Sequence, residues 1–145
     1  YPRPAPPPGL RPYLLGNSER TALLAAELGF GLAQSTFHTR SPRDPGAVAV
    51  YRAAFRPRPG APGGPRVVLA LCVVCDEALG FERAGANGDP AIVFRPDFVG
   101  PLEPVSDGIR DAFAAAGADD LLLFELSPTF AARRASYRRL IGVLR

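Results

Sequence analysis

Residues Gly16 to Thr21, G-N-S-E-R-T, follow a short apolar triplet (Tyr13, Leu14, Leu15) and open an alanine- and leucine-rich segment that runs to Gly29. A helix starting here presents first-turn N–H groups with no intrahelical acceptor, at the positive end of its dipole. Ser18 and Thr21 place two hydroxyls beside them. That donor set suits a phosphate group. It equally suits a plain helix cap, worth about 0.5–2 kcal/mol, in which Ser18 or Asn17 satisfies one of those N–H groups. Residue types alone leave both readings open.

Other chemistry-bearing residues are few. His38 is the only imidazole. It can act as acid or base near neutral pH. It follows the apolar run FGLAQS, so Gln34, Ser35 and Thr36 share its position. Glu125 ends the run DLLLFEL beside Ser127, where it can be a site carboxylate or a cap for the next helix. Cys72 and Cys75 form a C-x-x-C inside VVLALCVVC. In an extended strand, positions three apart point to opposite faces, so neither a disulfide nor a shared metal is expected. The pair reads as small core residues. Two cysteines and one histidine do not make a zinc site, and no metal is expected. The chain carries no glycine-rich dinucleotide loop, no Walker motif and no nucleophile elbow.

The elements that must position these residues alternate. Residues 1–12, YPRPAPPPGLRP, are half proline and read as an extended lead-in before a domain covering 13–145. A strand at Tyr13–Leu15 leads into a helix from about Ser18 to Leu28, and Phe30–Ser35 reads as a second strand. Thr36–Pro45 is a polar loop. A helix is predicted over Ala47–Phe55, with Val48, Tyr51 and Phe55 on one face. Val67–Cys75 is the clearest strand, apolar throughout, as in a parallel sheet buried on both faces. Asp76–Pro90 reads as irregular and Ala91–Phe94 as a short strand or turn. A helix over Pro104–Ala116 is stopped by Gly117. Asp120–Leu126 is the last strand and Thr129–Leu144 the last helix. Asp119 and Asp120 precede their strand, opposite the site end. Arg133, Arg134, Arg138 and Arg139 on the last helix suggest a solvated face or an acidic partner. Four strands alternating with helices predict an α/β fold with a parallel sheet. The spacing fits half of a (β/α)8 barrel and is too short for a whole one.

Composition narrows the function classes. The chain has 145 residues, 47% of them apolar, and a formal charge of +3. Every basic residue is Arg, and these are spread among Asp and Glu, so no nucleic-acid partner is expected. No run of about 18 apolar residues occurs, so no membrane partner is expected. No signal-peptide pattern opens the chain, and a cytoplasmic location is expected. Methionine is absent even from position 1, so a processed chain or a piece of a longer one is expected.

The stretch LLGNSERTALLAAELGFGLAQSTFHT resembles the middle of the bacterial luciferase-like flavin monooxygenases, which read strand, L-G-S-S, a helix with L-A-A-E-L-G, and a short apolar strand ending near a His-Phe pair. AVAVYRAAFRP resembles their A-L-E-L-Y-R-E-R-F-R-P helix, and RVVLALCVVCDE their next strand. VGPLEPVSDGIRDAFAAAGADDLLLFELSPTFAARRASYRRL resembles their closing segment. The resemblance covers most of Leu10 to Leu140.

It implies the C-terminal half of a (β/α)8 barrel. It also implies a flavin phosphate held by Asn17, Ser18 and Thr21, with Glu19 and Arg20 giving backbone N–H groups or charge. The implied activity is oxidation of a small organic substrate by oxygen and reduced FMN, the flavin coming from a partner reductase. Some relatives use a deazaflavin for hydride transfer instead. The family's best-known catalytic His belongs to the barrel half that is absent here, so the catalytic residues stay unassigned and His38 is either a rim candidate or a plain loop residue. The Asp76–Pro104 region is also shorter than the family's helical insertion. The rival expectation is a non-catalytic half-barrel acting as a binding or assembly module. Either way the exposed sheet predicts a homo-oligomer or pairing with the missing barrel half.

Overall fold

The nine-residue apolar run at Val67–Cys75 forms the central strand. The computed structural model describes residues 10–36, 43–59, 63–83 and 95–145. The elements follow as β1 (Tyr13–Leu15), α1 (Glu19–Glu27), β2 (Gly31–Ser35), α2 (Ala47–Ala54), β3 (Val67–Cys75), β4 (Glu82–Arg83), β5 (Phe98–Gly100), α3 (Leu102–Ala116), β6 (Asp120–Glu125) and α4 (Phe130–Val143).

Strands β1, β2, β3 and β6 are parallel and pair in chain order, with Leu14 beside Leu32, Leu32 beside Val67, and Val68 beside Asp120. Each precedes a helix, so the fold is α/β, four successive βα units forming half of a (β/α)8 barrel. The sequence did not show β4 and β5, which at two and three residues carry no periodicity. Docking on β3 creates them: β5 pairs parallel with Val73–Cys75, and β4 antiparallel with β5. The predicted Ala91–Phe94 element and His38 lie outside the described residues.

Backbone direction along β3 alternates between its two edges. Ala70 O accepts from Thr36 N and Cys72 O from Asp97 N, so even-numbered residues face β2 and β5. Val67 O accepts from Asp119 N and Val73 O from Leu126 N, so odd-numbered residues face β6. β5 therefore continues along the same edge where β2 stops, and the order β1-β2-β3-β6 is uninterrupted.

The helices pack on one face of this sheet. Odd side chains of β3 (Leu69, Leu71, Val73, Cys75) join Phe98, Val105, Ile109 and Leu140 in one core cluster. Leu32 and Val67 join Ala22, Ala25, Ala26 and Tyr51 in a second. Burying each such Leu or Val stabilises the fold by about 1.5–3 kcal/mol. Ala70 and Cys72 point to the other face. That inner face is open at its margins: Leu15 is 58%, Leu122 49% and Phe124 42% exposed.

Local chemistry sets the helix ends. Thr129 caps α4, its hydroxyl accepting from Ala132 N at 3.1 Å. Gly117 ends α3 at φ 59°, a left-handed conformation that glycine adopts without strain. α3 begins at Leu102, earlier than expected, because Pro104 in the first turn lacks an N–H that has no helical partner anyway. At the strands' N-terminal end, Arg52 pairs with Asp119 at 3.2 Å and Arg66 with Asp120 at 2.6 Å. These pairs are partly exposed, each worth about 0–1 kcal/mol, and they lie opposite the candidate site. Among the described residues no helix is long and apolar enough to cross a membrane.

Candidate functional site at the strand C-terminal rim

The turn from β1 into α1 adopts the cap geometry. Ser18 is the N-cap, extended at φ −98° and ψ 157°. Its hydroxyl accepts from Thr21 N at 3.3 Å and lies 3.2 Å from Thr21 Oγ1. Gly16 makes this possible, because a Cβ there would stand 2.4 Å from Thr21 Cγ2. The two hydroxyls therefore sit together at the helix N-terminus, with Ser18, Glu19 and Arg20 exposed and Thr21 half-buried.

Asn17 has a different place. It is buried, and its amide grips the end of β2: Nδ2 donates to Ser35 O at 2.7 Å, and Oδ1 accepts from Ser35 N at 3.0 Å. Asn17 thus fixes the turn against the sheet, and the exposed donors are those of Ser18 and Thr21. Glu19 turns toward the start of α2, where its Oε1 lies 3.0 Å from the Cβ position of Gly46. Arg20 makes no ion pair among the described residues, leaving its charge available at the rim.

The end of β2 divides its three polar residues. Gln34 is fully buried, and neither amide atom has a hydrogen-bond partner among the described residues. It lies beside Leu69 in register, on the helix-facing side. Ser35 is buried and tied to Asn17. Thr36 bonds Ala70 O and also donates its hydroxyl to Asp97.

Asp97 is a rim residue that sequence reasoning missed. Its Oδ2 accepts from Cys72 N at 2.7 Å. Burial pushes its carboxyl above the ordinary range, while the Cys72 amide, the Thr36 hydroxyl and the Arg83 charge pull it back. The signal available was slight: an acid after Pro96 and before the apolar triplet Phe98-Val99-Gly100. Hydrogen bonds from Asn17 to Ser35 and from Thr36 through Asp97 to Cys72, joined by the Ser35–Thr36 peptide bond, thus run from the β1 turn to the middle of β3.

Glu125 does not cap α4, which Thr129 does. It is buried, with Oε1 accepting from Cys75 N and from Ser127 Oγ, and Oε2 from Ser127 N. Every bond holds the end of the sheet. Of the four arginines on α4, Arg139 is drawn inward, donating to Cys75 O at 2.9 Å and Glu77 at 3.1 Å. Arg133, Arg134 and Arg138 are exposed. Both cysteines are free and buried, on opposite faces of β3. Burial, with Asp97 and Glu125 nearby, pushes the Cys72 thiol up to about 12. Among the described residues no group of three His, Cys, Asp or Glu could hold a metal.

The rim therefore offers paired hydroxyls, first-turn amides and an arginine on one side, and a half-buried carboxyl on the other. No protein-family model and no curated protein matches the chain. Among solved structures, apo-MsnO8 is similar, at 25% sequence identity and a TM-score of 0.70 over 96% of this chain. The match takes in 52% of that chain, so this one spans about half the length of its solved neighbour.

Proposed function

We propose that this chain is the flavin-phosphate-holding half of a luciferase-like, flavin-dependent monooxygenase barrel. The observation that carries the reading is the pair of adjoining hydroxyls, Ser18 and Thr21, at the N-terminus of α1 on the strand C-terminal rim. Active-site loops of such barrels lie at that end. The half-barrel fold shared with a chain about twice as long supports it.

The donor set fits the phosphate of FMN. Ser18 and Thr21 hydroxyls donate to its oxygens, the amides of Glu19 and Arg20 point the helix dipole at it, and Arg20 adds charge. Asn17 holds this turn at a constant distance from β2. Bound reduced flavin supplies the electrons with which oxygen oxidises a small organic substrate. A partner reductase supplies the flavin, and His38, the chain's one imidazole, is the acid–base candidate. A deazaflavin would place its phosphate on the same donors.

Titration with FMN and with riboflavin tests the reading. FMN should bind, and Thr21→Val should weaken it while leaving riboflavin unchanged. Equal weakening of both would remove the phosphate from this turn. The open inner face of the sheet favours a second reading, a non-catalytic half-barrel used for assembly, which predicts no FMN binding at all.

A further inference from the structure

We infer that two copies of this chain close one eight-stranded parallel barrel about a two-fold axis, β6 of each copy lying beside β1 of the other. This goes beyond the flavin reading and does not depend on it.

The sheet has four parallel strands in chain order, and among the described residues β1 and β6 have no strand on their outer sides. A two-fold along the barrel axis keeps every strand direction and makes eight strands from four. Eight is the number at which side chains just fill a barrel interior. A closed two-fold assembly also ends there and does not propagate.

The inner face has sizes that suit such closure. Barrel interiors are built from layers of four side chains drawn from alternate strands. Here β1 and β6 bring Tyr13, Leu15 and Leu122, while β2 and β3 bring Ala33 and Ala70. Alternate strands pair β1 with β3 and β2 with β6, so Leu15 is set with Ala70 and Leu122 with Ala33, a large residue with a small one in both. Two copies give a central layer of two large and two small residues, which interdigitate.

The outer layer is also unfinished on both sides. Leu23 and Glu27 line a hollow against Ala54 of α2. Leu24 and Leu28, about 100° further round α1, face away from α2 and are 47% and 42% exposed. On the other side, a groove of about 310 Å³ lies between β6 and α4, lined by Leu121, Leu123, Tyr137 and Ile141 among others. In the closed ring the Leu24–Leu28 side of one copy meets this groove of the other. The solved neighbour, about twice as long, has room in one chain for both halves.

One contact competes. Tyr137 donates its hydroxyl to Leu123 O at 3.0 Å and accepts from Glu125 N at 3.1 Å, occupying the outer edge of β6. The incoming β1 must displace it.

Sedimentation velocity across the micromolar range tests the inference, with circular dichroism confirming that each variant folds. The chain should sediment as a dimer. Leu15→Glu and Leu122→Glu, at positions exposed in the monomer, should each weaken dimerisation at least about tenfold. Tyr137→Phe keeps the ring and removes the competing hydroxyl, so it should tighten the dimer. Hydrogen exchange at the Tyr13, Leu15, Leu121 and Leu123 amides should slow in the dimer. A monomer at every concentration, open-ended association, or a dimer indifferent to both glutamates would overturn the inference. So would a dimer that Tyr137→Phe leaves unchanged or weakens.

Discussion

Cys72 and Asp97 exchange two hydrogen bonds: the Cys72 amide donates to Asp97 Oδ2 at 2.7 Å, and the Cys72 carbonyl accepts from the Asp97 amide. This is the rung of β3 at which β2 has ended and β5 has not begun. The acid stands in for a strand. Asp119 Oδ2 does the same for Val67 N at 2.8 Å, and Glu125 Oε1 for Cys75 N at 3.3 Å. Three carboxylates thus satisfy β3 where neighbouring strands run out, which a buried amide requires.

Asp97→Ala should cost about 1–3 kcal/mol, since the Cys72 amide is left without an acceptor. Asp97→Asn keeps an acceptor and should largely preserve the fold. The pH dependence should separate the two acceptors. Burial raises the folded pKa of Asp97 above its ordinary value of about 3.9. The folded state then holds the proton more tightly than the unfolded one. The native protein should lose stability relative to the Asn variant as pH rises from below that ordinary value through the folded pKa. Urea unfolding across the acid range measures the difference. A constant gap between the two proteins would mean that Asp97 titrates normally.

Ser18→Ala and Thr21→Val should separate capping from ligand binding. Loss of the Ser18 hydroxyl removes the cap on Thr21 N and should cost about 1 kcal/mol of stability. Thr21→Val leaves that cap in place. Both should weaken FMN, the double variant by about 2 kcal/mol or more, as two hydrogen bonds to a charged group are lost. Thermal unfolding and FMN titration on the same three proteins give both readings. A Thr21→Val protein with unaltered FMN affinity would contradict the assigned donor.

Gln34→Met should stabilise the chain. The amide is fully buried with neither polar atom bonded among the described residues, and an unpaired group of this kind costs about 1–3 kcal/mol. Methionine fills similar volume without that demand. A rise in the unfolding midpoint is expected. A fall would show that the amide has a partner the packing depends on.

Native Cys72 should resist alkylation at mildly alkaline pH. Its thiol is pushed up to about 12 and fully buried, so little thiolate forms and none is accessible. Cys75 is pushed up by burial as well. Denaturant should release rapid labelling of both. Fast labelling of the native chain would mean that β3 opens.

Local patterns made part of this fold legible. The unbroken apolar run marked β3 at its observed bounds, and Thr129 and Gly117 marked helix ends, because each is decided by neighbouring residues. The β4–β5 pair was not legible, since it exists only against β3. At the rim, Ser18 and Thr21 stood out as hydroxyls opening a helix. The commitment of Asn17 to Ser35, eighteen residues away, left no local trace. Asp97 was hidden for the same reason: its acceptor role is set by where β2 stops. Glu125 showed itself as a carboxylate at a strand end, but its burial and its bond to Cys75 are tertiary.

Tyr137 has a consequence for which neighbours the molecule admits. A strand arriving at β6 exchanges the phenol's two hydrogen bonds, at Leu123 O and Glu125 N, for its own at those two groups, so pairing along that stretch brings almost no gain. The gain there must come from what the arriving strand carries on its inner side against Leu122. The edge is therefore nearly deaf to generic extended peptide and responsive to apolar side chains in the right register. A single hydroxyl turns an adhesive border, the usual liability of a bare sheet, into a filter.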